Sequence, residues 1–259
     1  MAELLICETL KLRRGRLFQI AAATAIVFPL IFALFMVQEN DTFANEMTVC
    51  YQFTGYLVQI PLLCVLAAQL FFSEQDSGAL KNLLVIPVPR GALVGAKLLL
   101  LLVFSVCYSL AGYAVTAVVS LALSLPMEEM GLHLLLSLGT GAPFFAAAMP
   151  CMTLVVWLNK SYIISVIVTF FYTIASNLCV FMISVPMQPV GLNADTLLPL
   201  AMIQRWIYQF FSVKGEESVA FYEAFRPGFV STPVCFGVLG AEAMLCVALM
   251  MLSCRRQEV

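Results

Sequence analysis

Three polar side chains lie within long apolar stretches of the sequence, where polar groups are costly. Glu242 lies in the stretch GVLGAEAMLC, and Gln59 and Asn177 lie in two other apolar stretches. A carboxyl group in such surroundings must be protonated, paired or turned towards a cavity, which makes it a candidate for a functional role. The alternative for Glu242 is a neutral carboxyl that hydrogen-bonds to a neighbouring helix. For the two amides, the sequence favours ordinary hydrogen bonds between helices.

Residue types that support catalysis or metal binding occur singly in this sequence. The nine cysteines are scattered without a C-x-x-C pair, which is typical of small buried side chains. His133 is the single histidine, which argues against a metal site and favours a position at the membrane boundary. The sequence GALVGAK at residues 91–97 has the wrong spacing for a nucleotide-binding P-loop. We therefore expect no catalytic activity, metal or bound cofactor in this chain.

A polar segment at residues 73–97, SEQDSGALKNLLVIPVPRGALVGAK, separates two apolar stretches. Ser73 and Asp76 have the spacing of a capping box, which predicts that a helix begins there. Leucines then recur at three- and four-residue spacing, which places them on one face of this helix. Two prolines follow, and they end the helix because they remove backbone donors. The segment therefore predicts a short amphipathic helix at residues 73–86.

The same segment carries a pattern of residue types at fixed spacing. The pattern comprises Glu74, Gly78, Leu80, Lys81, Leu83, Leu84, Pro87, Arg90 and Lys97. It resembles the loop after the second span of type-2 ABC exporter permeases, which is the coupling helix of that family. The resemblance implies that the residues from Glu74 to Arg90 dock into a groove of an ATPase subunit. The competing interpretation is an anchor on lipid headgroups, but such anchors carry Trp or Phe on the apolar face and this one carries leucine.

The resemblance also implies the other parts of an exporter. It implies two ABC ATPase subunits, which hold ATP and Mg²⁺, and a second permease chain that is identical or homologous. It implies that Gln59 and Asn177 lie in spans that line a central passage. In length and loop layout the chain is most similar to permeases of antimicrobial-peptide resistance and immunity, of the lantibiotic or bacitracin type. We therefore expect an amphiphilic peptide, antibiotic or lipid-like substrate that is moved out of the membrane or cytoplasm.

Two other hypotheses fit the same residues. A membrane sensor or scaffold would recruit a cytoplasmic partner through the helix at residues 73–86 without moving a substrate. A secondary carrier would use protonation of Glu242, but it would need a second titratable group, for which the sequence offers no obvious candidate. The net charge of −2 and the lack of a dense basic patch argue against a nucleic-acid partner.

The positions of all these residues depend on helices that cross a membrane. Of the 259 residues, 62% are hydrophobic and 11% are charged, which is far more apolar than a soluble domain. Apolar stretches of about twenty residues, enough to cross a hydrocarbon core of about 30 Å, recur along the chain. We predict an all-α polytopic membrane protein in the bacterial cytoplasmic membrane, with a single transmembrane domain over residues 1–259. Its six transmembrane helices are expected at residues 17–37, 50–72, 98–123, 132–158, 162–185 and 233–253.

The distribution of basic residues predicts the orientation of these spans. If both termini are cytoplasmic, ten of the 13 Lys and Arg residues lie on that side, which is the bias expected of membrane proteins. The segment 73–97 is then cytoplasmic, and residues 1–16 predict an amphipathic helix that leads into the first span. A short polar loop at residues 38–49 and a long loop at residues 186–232 are outside. Within the long loop, residues 195–211 are typical of a helix in the outer interface of the bilayer, as an anchor or as a lid for the substrate.

Overall fold

A computed structural model describes residues 2–35, 42–76, 90–158, 162–184, 198–211 and 216–256. These residues form helices joined by turns and short connections, and no strand occurs among them. The predicted all-α fold class is confirmed.

The helices follow one another with few breaks. In chain order they are α1 (Ala2–Arg14), α2 (Arg16–Phe35), α3 (Phe43–Val49), a π-helical segment (Cys50–Gln59), α4 (Ile60–Asp76), α5 (Arg90–Ala122), α6 (Met130–Leu158), α7 (Tyr162–Ser184), α8 (Pro199–Ile207), α9 (Glu216–Phe225) and α10 (Thr232–Arg256), with short 3₁₀ turns at Tyr208–Phe210 and Arg226–Gly228. Within the described residues, six stretches are long and apolar enough to cross a membrane, namely Arg16–Phe35, Phe43–Phe72, Gly91–Ala122, Met130–Leu158, Tyr162–Val180 and Thr232–Ser253. The predicted number of spans is confirmed.

The even number of spans brings the start of α2 and the end of α10 to the same end of the bundle. We call this the inner end, because the distribution of basic residues predicts that it faces the cytoplasm. The opposite end is the outer end. Helix α4 ends and α5 begins at the inner end, whereas α8 and α9 lie at the outer end.

The second span begins earlier than the sequence pattern predicts. The expected span was 50–72, after a polar loop at 38–49, but the helix starts at Phe43. Phe43 is fully buried, and its backbone N–H donates to the Pro126 carbonyl oxygen at 3.1 Å. Its ring packs edge-on against Tyr113, with the ring centroids 5.7 Å apart. These contacts draw the start of the helix into the bundle, and Glu46 is buried with it.

The polar segment between the second and third spans is shorter than predicted. The helix from Ile60 continues through Asp76 without a break, so the prediction that a helix begins at Ser73 is wrong. The sequence between Phe72 and Asp76 holds no Gly or Pro to end a helix. The third span was expected at 98–123, but its helix starts at Arg90, directly after the second proline. The connection is therefore limited to residues 77–89, which lie outside the described residues.

Helix α6 lies at the centre of the bundle and packs against α4, α5, α7, α8 and α10. Its closest approach is to α5. A Cβ atom on Gly141 would lie only 2.5 Å from Val106 Cα and 2.9 Å from Val106 N. The Ser105 hydroxyl donates a hydrogen bond to the Gly141 carbonyl oxygen at 2.6 Å. Small residues at such crossings let two backbones pack closely in a membrane.

Helix α8 is buried in the outer end of the bundle. All residues from 200 to 207 are buried, including the polar side chains of Gln204 and Arg205. The prediction that residues 195–211 lie in the bilayer interface is therefore wrong for this helix. The aromatic and aliphatic side chains that suggested an interfacial position pack instead against α6, α7 and α10.

We predict that Gly141→Ala destabilises the bundle by about 1 to 3 kcal/mol, the range typical of overpacked cores. The added methyl group would meet the backbone of α5, which cannot move aside as a flexible side chain can. The measurement is unfolding of the purified chain in detergent micelles, followed by circular dichroism.

The matched control is Gly240→Ala on α10. A Cβ on Gly240 would meet nothing within 4 Å, so the same substitution should leave stability unchanged or raise it slightly. Equal unfolding midpoints for the two variants would contradict the close packing of α5 and α6.

Candidate functional site

The inner ends of α4 and α5 are tied together by a buried lysine. The Lys97 side chain is 2% exposed, and its Nζ donates a hydrogen bond to the Leu70 carbonyl oxygen at 2.7 Å. The same ammonium group lies 5.0 Å from the centroid of the Phe71 ring, which is within range of a cation–π interaction. Lys97 belongs to the first turns of α5, and Leu70 and Phe71 belong to the last turns of α4. The two ends that flank residues 77–89 are thus held side by side.

The N-terminal helix completes this arrangement. Residues 2–14 form α1, as predicted, and α1 packs against α2 and α5. Its buried face carries Leu12, together with Glu8, whose carboxylate accepts a hydrogen bond from Lys11 Nζ at 2.8 Å. The turn to α2 lies at Gly15, where a Cβ would be only 2.6 Å from Gln69 Nε2 of α4.

We call the group formed by Leu12, Gly15, Gln69, Leu70 and Lys97 the inner frame. It joins the turn between α1 and α2, the end of α4 and the start of α5. Each of these elements continues into a span, so the inner frame links the inner ends of the first three spans.

Two of the predicted coupling residues lie in the helices on either side of the connection 77–89, and the other six fall within it. Glu74 is in the last turn of α4, and Arg90 is the first residue of α5. The others, Gly78, Leu80, Lys81, Leu83, Leu84 and Pro87, fall within 77–89 and so lie outside the described residues. Their assignment to a coupling helix stays a prediction, and the structure gives the two helix ends that hold this connection.

Gln59 is the centre of a hydrogen-bond network between spans. It is 1% exposed, and its Nε2 donates to the Ser105 carbonyl oxygen at 2.8 Å and contacts Ser109 Oγ at 3.2 Å. The Ser109 hydroxyl in turn approaches Gln59 Oε1 at 3.3 Å. Because Ser105 also bonds to Gly141, the network joins the second, third and fourth spans. Within this single chain, the Gln59 side chain therefore holds neighbouring helices together through hydrogen bonds.

The stretch that ends at Gln59 is π-helical, from Cys50 to Gln59. Segments of π-helix are rare and often occur at functional sites. Beside this one is a cavity of about 10 Å³, which Thr54, Gln59 and Tyr108 help to line. A cavity of this size has room for one water molecule. This cavity, formed by described residues, is thus too small for a molecule larger than water.

Asn177 and Glu242 lie away from this network, and no described hydrogen bond joins either of them to Gln59. Asn177 is half-buried on α7, and its Nδ2 donates to the Thr173 carbonyl oxygen of its own helix at 2.9 Å. Glu242 is half-buried on α10, and its Oε2 atom is buried without a hydrogen-bond partner among the described residues. The three intramembrane polar residues singled out in the sequence therefore do not form one site.

The sequence over residues 4–176 matches the model of a family described as ABC-2 family transporter protein. The chain belongs to the ABC-2 family of transporter proteins. No curated protein matches the chain. The matched region includes α1, the inner frame and the connection 77–89, whereas the end of α7, the outer loop and α10 follow it.

Membership of the ABC-2 family makes this chain the membrane component of a transporter. Such chains are permease subunits that work with ABC ATPase partners. The six apolar helices agree with a multi-pass membrane protein, which in bacteria lies in the cytoplasmic membrane.

The sequence analysis missed a polar cluster at the outer end of this ABC-2 protein. His133 lies near the start of the fourth span and is fully buried there. Tyr51 donates a hydrogen bond to the His133 carbonyl oxygen at 3.1 Å and lies 3.0 Å from Ser137 Oγ. The Tyr51 ring stacks on His133, with the centroids 6.1 Å apart, and on Phe211, at 6.4 Å. The only signal in the sequence was the spacing of His133 and Ser137, which places them on one face of a helix.

Phe211 belongs to an outer cap, which we define as residues 198–211 and 216–231. The Trp206 indole N–H donates to Thr232 Oγ1 of α10 at 3.0 Å. Tyr208 packs against the Phe225 ring at a centroid distance of 5.3 Å. Burial raises the pKa of the Tyr208 hydroxyl above its ordinary value, and the neighbouring Tyr222 adds to the shift. The cap is thus a packed part of the ABC-2 permease.

We predict that Gln59→Leu lowers the stability of the permease by about 0.6 to 2 kcal/mol, the range of hydrogen bonds between membrane helices. The substitution removes the bonds from Gln59 to Ser105 and Ser109. The measurement is the unfolding midpoint of the purified chain in micelles.

The control is Asn177→Leu, since the Asn177 amide bonds to the backbone of its own helix. This variant should unfold within about 0.5 kcal/mol of the wild type, as is usual away from special features. A larger loss from Asn177→Leu than from Gln59→Leu would contradict the assignment of Gln59 to packing between spans.

Proposed function

We propose that this chain is the permease subunit of an ATP-driven exporter and that the connection 77–89 docks onto a partner ATPase. The observation that carries the proposal is the inner frame, in which Lys97 holds the ends of α4 and α5 together on either side of this connection. The charge distribution supports a cytoplasmic location for it. The coupling role of Glu74, Gly78, Leu80, Lys81, Leu83, Leu84, Pro87 and Arg90 is part of this proposal.

In the proposed mechanism, two ATPase subunits bind ATP and Mg²⁺ and close on one another. Their closure moves the connection 77–89, and the inner frame passes this movement to α4 and α5. From there the Gln59 network and the contact between Val106 and Gly141 transmit it to α6, the central helix. Since packed helices move as units, a displacement at the inner end becomes a rearrangement of the bundle.

We propose that a second permease chain, identical or homologous, completes the passage. Two features of the single chain support this. The cavity beside Gln59 has a volume of about 10 Å³, and within the described residues the first, fifth and sixth spans are the least buried. A passage for a larger molecule would therefore form between two chains. Gln59 can join Asn177 in lining this passage only if the network around Gln59 opens during the cycle.

We propose an amphiphilic substrate, such as a peptide, an antibiotic or a lipid-like molecule, that is moved out of the membrane or cytoplasm. The support is the similarity in length and loop layout to permeases of lantibiotic immunity and bacitracin-type resistance. A chain with 11% charged residues also offers few charges to bind a strongly ionic substrate.

The test is Leu83→Asp in the complex of the permease with the ABC ATPase that purifies with it. A carboxylate on the apolar face of the connection should be excluded from a partner groove, because burying an unpaired charge is costly. We expect at least a tenfold loss of substrate-dependent ATP hydrolysis and of export in vesicles, the loss that corresponds to about 1.4 kcal/mol. Membrane insertion of the permease should be unchanged.

The matched control is Leu123→Asp, the same substitution at an exposed position at the outer end. It should leave ATP hydrolysis and export at the wild-type level. Normal hydrolysis and export with Leu83→Asp would contradict the proposal. A scaffold would instead bind the ATPase without export, and a carrier driven by Glu242 would transport without any ATPase.

A further inference from the structure

Two rows of buried polar side chains run between the second and third spans. Their members recur four, five or seven positions apart, which is the spacing of residues on one face of a helix. The rows consist of Thr42, Glu46, Cys50, Thr54 and Gln59 on one side and of Ser105, Ser109, Thr116 and Ser120 on the other, all of them buried. We call these nine residues the polar seam.

Contacts between the two spans show that the rows face each other. At its inner limit the seam is joined by the hydrogen bonds of Gln59 to the third span. In the middle, Gly112 lets the third span approach closely, because a Cβ atom there would lie only 3.1 Å from Cys50 Sγ. The Cys50 thiol also lies beside the side chains of Thr54 and Thr116, one from each row.

Three hydroxyl groups of the seam require hydrogen-bond partners. The oxygen atoms of Thr54, Thr116 and Ser120 are buried and have no hydrogen-bond partner among the described residues. The Cys50 thiol beside the two threonines is only a weak donor and acceptor. Elsewhere in the bundle, threonine hydroxyls donate to a carbonyl oxygen of their own helix, as at Thr48, Thr153 and Thr173. Because an unpaired hydroxyl group is costly to bury, the seam favours a ligand that supplies the partners.

The cavity of about 10 Å³ beside Gln59 lies within the seam. Among its lining residues are Thr54, Gln59, Tyr108 and Ser109, each of which carries a polar group. A cavity of this volume has room for one water molecule, and a buried water typically makes about three hydrogen bonds. Both the volume and the number of polar neighbours therefore fit water.

The seam ends at Gln59, and the interface of the same two spans is apolar beyond it. Residues 60–68 of the second span and 98–104 of the third carry no side-chain oxygen or nitrogen atom. Buried members of these stretches, such as Leu63 and Leu101, belong to the hydrophobic core and continue it towards the inner frame. The interface is therefore polar towards the outer end and apolar towards the inner end.

We propose that water molecules bind along the polar seam and that the innermost of them occupies the cavity beside Gln59. Water donates and accepts hydrogen bonds, so it pairs with the hydroxyl groups that lack partners. The apolar stretches 60–68 and 98–104 offer water no partners and close the seam towards the inner end. One consequence rests on the proposed exporter function: bound water gives Gln59 a replacement partner when the second and third spans move against each other.

The experiment is hydroxyl-radical labelling of the purified full-length chain in micelles. A short X-ray pulse turns bound water into radicals, which oxidise neighbouring side chains, and mass spectrometry locates the oxidised residues. Cys50 and Cys64 are matched reporters, because both are buried thiols of the second span and only Cys50 lies in the polar seam. We expect oxidation at Cys50 and none at Cys64. Since no ATPase is present, the result does not depend on docking of the connection 77–89.

A double variant tests the hydroxyl groups. Thr54→Val combined with Thr116→Val removes two of them beside Cys50 and keeps the shape of the side chains. We expect the oxidation of Cys50 to fall about tenfold, which corresponds to about 1.4 kcal/mol of lost water binding. The unfolding midpoint should also fall, because hydrogen bonds to water are lost. The control is Thr153→Val, whose native hydroxyl donates within its own helix, and it should leave the oxidation of Cys50 unchanged.

Three results would overturn the proposal. Equal labelling of Cys50 and Cys64 would mean that the seam holds no more water than the apolar core. Oxidation of Cys50 that is unchanged in the double variant would mean that the hydroxyl groups do not hold the water. A higher unfolding midpoint of that variant would mean that the hydroxyl groups are buried without any partner, since valine then removes a penalty. If the double variant fails to fold, the comparison of Cys50 with Cys64 in the wild type still decides.

Discussion

The hydrogen bond from Lys97 to the Leu70 carbonyl oxygen is the interaction on which the inner end of this permease depends. An ammonium group within a membrane protein is costly to bury unless it is hydrogen-bonded or paired. Here the carbonyl oxygen and the face of Phe71 supply favourable partners. Hydrogen bonds to charged groups contribute about 1.5 to 3 kcal/mol, roughly twice the value of neutral ones. The bond therefore sets how the helices before and after the connection 77–89 lie against each other.

The same constraint acts deeper in the bundle, where polar side chains must find partners inside the protein. Gln59 finds its hydrogen-bond partner in the third span, and Tyr51 finds its partner in the fourth span. Each bond also fixes the position of one helix against another, because a polar group in hydrocarbon has few alternatives. The most buried spans, the second and the fourth, are the ones that carry these two residues. Polar contacts thus define the rigid centre, while the remaining spans present apolar faces outward.

The number and type of the spans could be predicted from the sequence, because an apolar stretch of about twenty residues is the length that a transmembrane helix needs. The start of the second span, near Glu46, and the start of the third span, near Lys97, could not be predicted from the sequence. Both residues are charged, so hydropathy assigns them to loops, yet tertiary contacts bury them within helices. The burial of Arg205 in the outer cap was missed for the same reason. The coupling residues could be selected only by their resemblance to a family pattern, and the role of the Gln59 amide depended on partners far away in the sequence.

The central claim is that the connection 77–89 contacts an ABC ATPase. The most direct measurement places a photo-crosslinking amino acid at Leu84 in living cells and identifies the crosslinked proteins by mass spectrometry. The account predicts a crosslink to an ATPase with a nucleotide-binding motif, and none from the same group placed at Leu123 of the outer end. If position 84 crosslinks only to lipid, or if position 123 captures the ATPase instead, the account is contradicted.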